Sequence, residues 1–330
     1  MRQRSGLRGV PMILAWLLLI AGCGTAGPES PVSGQGVSPT AKPPDVRAAL
    51  GDPRTVDPCT LTDPALFERF DQVTTSGTVS LDYCLLRVAM ADGSLAQLTV
   101  GELGSVDPAS TEGSPSTRQG KFRVVEDAPL PGHCTRRILF GDGVAMRISA
   151  DLLTGGPGAR LCGLAEEGAR GAVDAIERGA VEHRRFPANS WARVDPCEVL
   201  DTAVVQEIPG MEAAQPVTAP SGHRCQWGEQ TAQSPRVRLV HTAGEPPRVL
   251  HGTAVEERIA GRSTVVSMVG GDPGSPVCSA ETGHIPFGKP GSGQVEVAML
   301  VVTIPGENGI TACEFARGLA ESAWPSLPAA

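Results

Sequence analysis

Val56-Asp57-Pro58-Cys59 recurs as Val194-Asp195-Pro196-Cys197, and this recurrence decides how the chain is divided. Each quartet opens a set of four cysteines: Cys59, Cys84, Cys134 and Cys162, then Cys197, Cys225, Cys278 and Cys313. The gaps run short, long, short both times: 25, 50 and 28 residues, then 28, 53 and 35. Each set closes on a cysteine that starts a helix-like stretch, Cys162-Gly163-Leu164-Ala165-Glu166-Glu167 and Cys313-Glu314-Phe315-Ala316-Arg317-Gly318. Self-similarity at one spacing is the mark of a tandem repeat. Two domains of similar architecture are expected, at 51–186 and 187–330, each of a size that holds one core. The competing reading is one larger domain with scattered disulfides.

An even set of eight cysteines reads as a disulfide framework, provided that the chain is exported, and four allow three pairings within each repeat. The favoured pairing joins first to second and third to fourth: Cys59–Cys84, Cys134–Cys162, Cys197–Cys225 and Cys278–Cys313. Loops of this length contribute about 3–4 kcal/mol each in the chain-entropy picture. Such staples matter in a chain with 4% aromatic residues, 40 glycines and 29 prolines.

The ninth cysteine belongs to the N-terminus. Arg2, Arg4 and Arg8 precede a short apolar run, Met12 to Ile20, which ends in Ile20-Ala21-Gly22-Cys23. The run is short for a membrane-spanning helix and right for a signal peptide. Small residues before a cysteine resemble the bacterial lipobox, in which the chain is cut before the cysteine and its sulfur carries a diacylglycerol. The resemblance implies a signal peptide at 1–22, lipidation at Cys23, and a place on the extracytoplasmic face of a cell membrane. An ordinary secretory peptide with an incidental cysteine is the plainer alternative. Residues 23–50 read as a lipidated cysteine and a flexible Gly/Pro/Ser tether.

Composition agrees with an envelope protein. The net charge is −8, and loss of residues 1–22 removes three arginines and no acid, which takes it to −11. Such an acidic chain is a poor nucleic-acid binder. Lys42, Lys121 and Lys289 are the only lysines, a bias typical of GC-rich genomes.

Asp before Pro at each repeat start signals a helix N-terminus. Val199, Leu200, Ala203, Val204 and Ile208 continue at helical spacing, whereas in the first repeat the helix is placed at Asp63-Pro64 with Leu66, Phe67 and Phe70. Strands are expected at Val79–Met90, Leu95–Val100, Arg137–Phe140, Val144–Ile148, Arg236–His241, Glu257–Ile259, Ser263–Val269 and Gln294–Thr303, with hairpins at Asp92-Gly93 and Gly141-Asp142-Gly143. Helices close the repeats at Leu161–Glu177 and Thr311–Trp324. The fold class is α+β: two tandem domains, each a mainly antiparallel sheet with an N-terminal and a C-terminal helix, disulfide-stapled.

Taken together, the lipobox, the tether, the Asp-Pro-Cys openings, Cys225-Gln226-Trp227 and the helix-opening cysteines resemble an actinobacterial lipoprotein family of unknown function. That family is distantly similar to the extracellular sensor domain of mycobacterial receptor Ser/Thr kinases. The first repeat departs from the pattern, because Cys84-Leu85-Leu86 lacks the tryptophan. The resemblance implies a binding or sensing module and carries no functional residues with it.

No Gly-x-Ser-x-Gly, His-Glu-x-x-His, Cys-x-x-Cys or Walker loop occurs. Gly141-x-Gly143 and Gly291-x-Gly293 read as turns. Among the six histidines, His133 and His223 each lie near a cysteine that is expected to be oxidised, so both read as surface or turn residues. His183 and His284 suggest no chemistry, and His241 and His251 could meet across a strand pair. Glu166-Glu167 and Glu256-Glu257 read as solvated faces, and Arg136-Arg137 as a short basic pair. Arg184-Arg185 with Glu182 suggests an ion pair at the domain junction, and Trp191 and Trp227 read as core anchors before ligand platforms. No catalytic residue, metal or cofactor is expected. The function expected is a non-catalytic, membrane-anchored module for an envelope ligand or protein, with the cleft between the repeats as its binding place. The alternatives are an envelope hydrolase whose site is assembled from distant residues, or a scaffold for another envelope protein.

Overall fold

The computed structural model describes residues 42–75, 80–156, 160–229, 231, 234–250, 252–272, 274–306 and 309–330. The signal segment, Cys23, the tether as far as residue 41 and His251 lie outside these residues.

After a one-turn helix, α1 (Val46–Leu50), come seven strands: β1 (Asp71–Thr75), β2 (Cys84–Met90), β3 (Leu95–Ser105), β4 (Ser116–Gln119), β5 (Phe122–Glu126), β6 (His133–Leu139) and β7 (Val144–Thr154). Helix α2 (Leu161–Glu177) closes this half. The second half runs α3 (Pro196–Val199), α4 (Thr202–Val205), β8 (Val217–Thr218), β9 (Arg224–Gly228), β10 (Arg236–Gly244), β11 (Val255–Ile259), β12 (Arg262–Asp272), β13 (Ser275–Pro286), β14 (Val295–Thr303) and α5 (Gly309–Ala323).

The first sheet has the order β1-β2-β3-β7-β6-β5-β4 and the second β11-β12-β13-β14-β10-β9-β8. Counted from its own first strand, each is 1-2-3-7-6-5-4, so the two halves share one topology. The pairings are antiparallel. The disulfides occupy matching places. Cys59–Cys84 and Cys197–Cys225 tie the Asp-Pro turn to the second strand, and Cys134–Cys162 and Cys278–Cys313 tie the sixth strand to the closing helix. Asp57 and Asp195 cap their turns by accepting from the backbone N–H of Cys59 and Cys197.

Each closing helix covers one face of its sheet. Leu161, Leu164, Ala165, Gly168, Ala169, Ala172, Val173 and Ile176 are buried at three- and four-residue spacing along α2. In the first core they meet Phe67, Phe70, Leu98, Phe122 and Ile148. The second core holds Trp191, Trp227 and Trp324, each fully buried. Trp227 Nε1 donates to Thr202 Oγ1 at 3.0 Å and Trp324 Nε1 to Thr264 Oγ1 at 3.1 Å, which satisfies two buried indoles.

Several expectations are corrected. Residues 42–50 are not tether: Val46 and Leu50, four apart, bury in the first core, Val46 N donates to Asp142 Oδ2 at 3.1 Å and Gly141 N to Pro44 O at 2.9 Å. The opening helix of the second repeat is broken at Leu200, whose extended backbone lets Asp201 cap a second turn through Ala203 N. The first repeat opens with short 3-10 turns ending in Pro64–Phe70. Of the strand expected at Val79–Met90, Val79 lies outside the described residues, residues 80–83 form no strand and β2 starts at Cys84, while the sequence carries no signal for strands β1, β4, β5, β8, β9 and β13. Strand β13 buries Ser279, Ala280 and Thr282, small residues without a hydrophobic pattern.

Gly168 sets the distance between α2 and its sheet. A Cβ there would come within 2.9 Å of Ile148 Cγ2 and 3.3 Å of Leu98 Cδ2. Alanine is a better helix former than glycine by about 1 kcal/mol. Gly168→Ala is nevertheless expected to destabilise the protein, because the overpacking penalty of about 1–3 kcal/mol exceeds that gain. Chemical denaturation of the variant checks the sign; a rise in stability would mean that the helix does not need this close approach.

Candidate functional site

The linker between the halves folds back onto the start of the first. Asp57 N donates to Glu182 O at 2.8 Å and Arg184 N to Thr55 O at 2.7 Å. Arg184 then pairs with the Asp57 carboxylate at 2.7 Å, donates to Ser80 O at 3.0 Å and lies over the Phe287 ring of the second half. The expected junction role of Arg184 therefore falls to Asp57 and Phe287, not to Glu182. Leu81, Ala192 and Ala243 pack with Phe186 and Phe287 into a small apolar cluster that joins the halves. Polar ties complete the junction: Ser80 Oγ to Thr242 Oγ1 at 2.9 Å, His223 Nδ1 to Asp82 Oδ1 at 2.7 Å, and Arg224 to Glu102 at 3.1 Å.

Several cavities open at this junction, and two of them bear on function. The larger, about 1000 Å³, lies between the Asp57–Pro64 segment, the linker residues Arg184–Pro187 and the loop from Pro286 to Glu296. Phe186, Phe287 and several prolines make its apolar walls, and Arg184, Arg185 and Lys289 its cationic ones. The buried amide nitrogen of Gln294 has no hydrogen-bond partner. The carboxyl of Glu296 is satisfied, by Ser190 Oγ and by Trp191 N at 2.8 Å. The smaller cavity, about 420 Å³, lies between β3, β6 and β7 on one side and the Val217–Gly228 segment on the other.

A backbone irregularity aims one side chain at this smaller cavity. Ala96, Leu98 and Val100 point inward on β3, and strict alternation would bury residue 102 as well. A bulge at Gly101 shifts the register, so that Leu103 is buried and Glu102 faces the junction. Gly101 has φ +114°, and a Cβ there would lie 2.8 Å from Pro58 Cβ.

The histidines are distributed unevenly. His133 is not an isolated surface residue: Nδ1 bonds Asp151 and Nε2 lies 2.7 Å from Thr135 Oγ1. His223, expected at a surface turn, is 1% exposed, because the Asp82 carboxyl inside the junction accepts from it. Ser221 is buried nearby with its hydroxyl unpaired. His183 bonds Thr55 Oγ1 at 2.8 Å. His284 stacks on Trp191, ring centres 4.2 Å apart, and bonds Asn189 O at 2.8 Å. The expected contact of His241 with His251 falls outside the described residues.

Trp191 and Trp227 are core residues. Glu167, expected to be solvated, is 3% exposed and is held by Arg69 and Arg170, because it faces back towards the chain segment before β1. Glu166 and Glu256 are exposed, and half-buried Glu257 pairs with Arg317 at 2.6 Å. Arg136 is buried beside Glu126 at 3.1 Å, and Arg137 pairs with Asp127. Glycines 143, 291 and 293 have positive φ, as turns require. Among the described residues no group of three metal-ligating side chains converges.

Glu102, Arg147, Arg224 and Arg238 were not singled out in the sequence. Their signal is a period of two, Arg224-x-Gln226 and Arg236-x-Arg238, which puts guanidiniums on the outer face of a strand pair. No protein family matches the chain, and neither a curated protein nor a solved structure does.

His241 is fully buried beside Trp191, and neither ring nitrogen has a hydrogen-bond partner. Burial, with help from neighbouring His223, pushes its pKa down from 6.5 to about 4, partly offset by the carbonyls of Trp191 and Val194. The unfolded chain therefore takes up a proton that the folded one refuses. Stability from this group is complete above pH 6.5 and is lost as the pH falls towards 4, by a total of roughly 3 kcal/mol. Denaturation curves across that interval should be visibly flatter for His241→Phe than for the parent; equal slopes would remove His241 as the cause.

Proposed function

We propose that this chain is a lipoprotein of a bacterial cell envelope, anchored through Cys23 on the extracytoplasmic face, and that it works as a non-catalytic binding or sensing module. The lipobox residues and the resemblance in the Asp-Pro-Cys openings support the setting. The observation that carries the binding role is the cavity of about 1000 Å³ shared by both halves and the linker. Its size suits small-ligand sites, and its walls combine aromatic and proline surface with a few cations. A ligand there would touch both halves at once, so binding would be felt at the junction.

The hydrolase alternative has one observation in its favour, the chain of contacts from Asp151 through His133 to Thr135. A nucleophile needs an adjacent base with an orienting carboxyl, and these three have that order. Thr135, however, is only 4% exposed and lines neither junction cavity.

Two measurements test the proposal. Full-length chain extracted from membranes should have the mass of a polypeptide starting at Cys23 plus acyl chains, and Cys23→Ser should lose both the added mass and the membrane association. In detergent, envelope extracts should raise the melting temperature saturably, and Ser292→Trp, which fills the cavity, should abolish that shift. An unlipidated parent chain would remove the anchor. Ester or glycan turnover that disappears in Thr135→Ala would replace binding by hydrolysis, and one protein recovered repeatedly by crosslinking would favour the scaffold.

A further inference from the structure

The smaller junction cavity gathers charge of one sign. On the first sheet Arg137 and Arg147 are direct cross-strand partners, and Arg147 is in turn opposite Glu102. Like charges placed opposite each other weaken a sheet, so this pair has a cost. Asp127 occupies Arg137, which leaves Arg147 with Glu102. From the second sheet Arg224 reaches the other oxygen of the same carboxylate at 3.1 Å. Next to it Arg238 lies opposite Gln226 and donates through Nε to Gln226 Oε1 at 3.0 Å. Among the described residues no carboxylate comes within 4.0 Å of Arg238. Burial and the repulsion of Arg224, Arg236 and Arg147 lower its pKa, although a guanidinium remains charged throughout. Arg147 and Arg224 thus share one carboxylate in a concave space of about 420 Å³, and Arg238, bonded to Gln226 of its lining, stands beside them, on a chain whose net charge is −8.

We propose that this cavity binds a phosphoryl group, held by Arg147, Arg224 and Arg238, with Glu102 as the internal anion that the ligand displaces. The choice of anion follows from geometry. One arginine satisfies a carboxylate through two parallel bonds. A phosphate has enough terminal oxygens to engage three guanidiniums, and arginine matches phosphate better than lysine does. Displacing Glu102 also releases its contact with Arg224, an ion pair that crosses from one half to the other. Occupancy would therefore loosen one of the ties at the junction.

Calorimetric titration of the full-length chain in detergent, at low ionic strength, tests the assignment. The probes are inorganic phosphate, glycerol 3-phosphate and a short-chain phosphatidylglycerol, with acetate as the control. Phosphoryl ligands should bind saturably and at least about tenfold more tightly than acetate, and Arg224→Ala or Arg238→Ala should each weaken them about tenfold. Glu102→Gln should strengthen binding severalfold, a gain that a damaged fold does not produce. The tightest of the three probes distinguishes a free phosphate or ester from a lipid headgroup. Acetate binding as tight as phosphate, indifference to both arginine variants, or weaker binding in Glu102→Gln would each overturn the assignment. Ser292→Trp, in the other cavity, should leave phosphate binding unchanged, so failure of one site does not entail failure of the other.

Discussion

In each half the sixth strand is bonded covalently to the closing helix, through Cys134–Cys162 and Cys278–Cys313. The other packing depends on this link. Small side chains make up about half or more of each helix's buried face: Ala165, Gly168, Ala169 and Ala172 in α2 beside Leu161, Leu164, Val173 and Ile176, and Ala312, Ala316, Ala320 and Ala323 in α5 beside Leu319. Small side chains allow a close approach but bury little apolar area each, and burial is worth about 25 cal/mol per Å². The disulfide offsets that shortfall by restricting the unfolded chain. The second bridge in each half does the same for the Asp-Pro turn, whose four residues would not hold a helix unaided.

The two halves share strand order and disulfide placement yet fill their cores differently. Phenylalanines 67, 70, 122 and 140 occupy the first, tryptophans 191, 227 and 324 the second. A tryptophan brings an N–H that needs a partner, and Thr202, Thr264 and Pro328 O supply them. Thus the second half carries more buried polar groups around its core, including Glu296 and His241. Topology survives this exchange because it is set by which strands pair and where the bridges lie, not by particular side chains.

Much of the fold was legible because its signals are local. Asp92-Gly93 and Gly141-Asp142-Gly143 mark hairpins whatever surrounds them, and the α2 pattern marked its bounds at Leu161 and Glu177. Elements stabilised by distant partners were not legible. Strand β13 lies between β12 and β14 and needs small residues there, so its sequence lacks the alternation of a half-exposed strand. Residues 42–50 follow the tether directly and begin with its prolines, but Val46 and Leu50 have a core to enter. Of the junction, Arg184 could be anticipated from its place between the repeats. His223, Asp82 and Glu102 could not, since each acquires its role from the opposite half.

The bulge at Gly101 shows how the duplicated architecture came to present a charged interior between its halves. Without it the position of Glu102 would face the first core, where an ionised carboxyl would cost several kcal/mol. With it the same residue turns outward and meets Arg147 from its own sheet and Arg224 from the other. Gly101 is required twice over at that point: its backbone conformation disfavours other residues, and Pro58 of the Asp-Pro turn leaves no room for a side chain. The turn that begins the first repeat, the bulge and the cross-repeat ion pair are therefore one mechanical unit. A local constraint at the Cys59–Cys84 bridge is transmitted in this way to the orientation of a charge about which both halves are arranged.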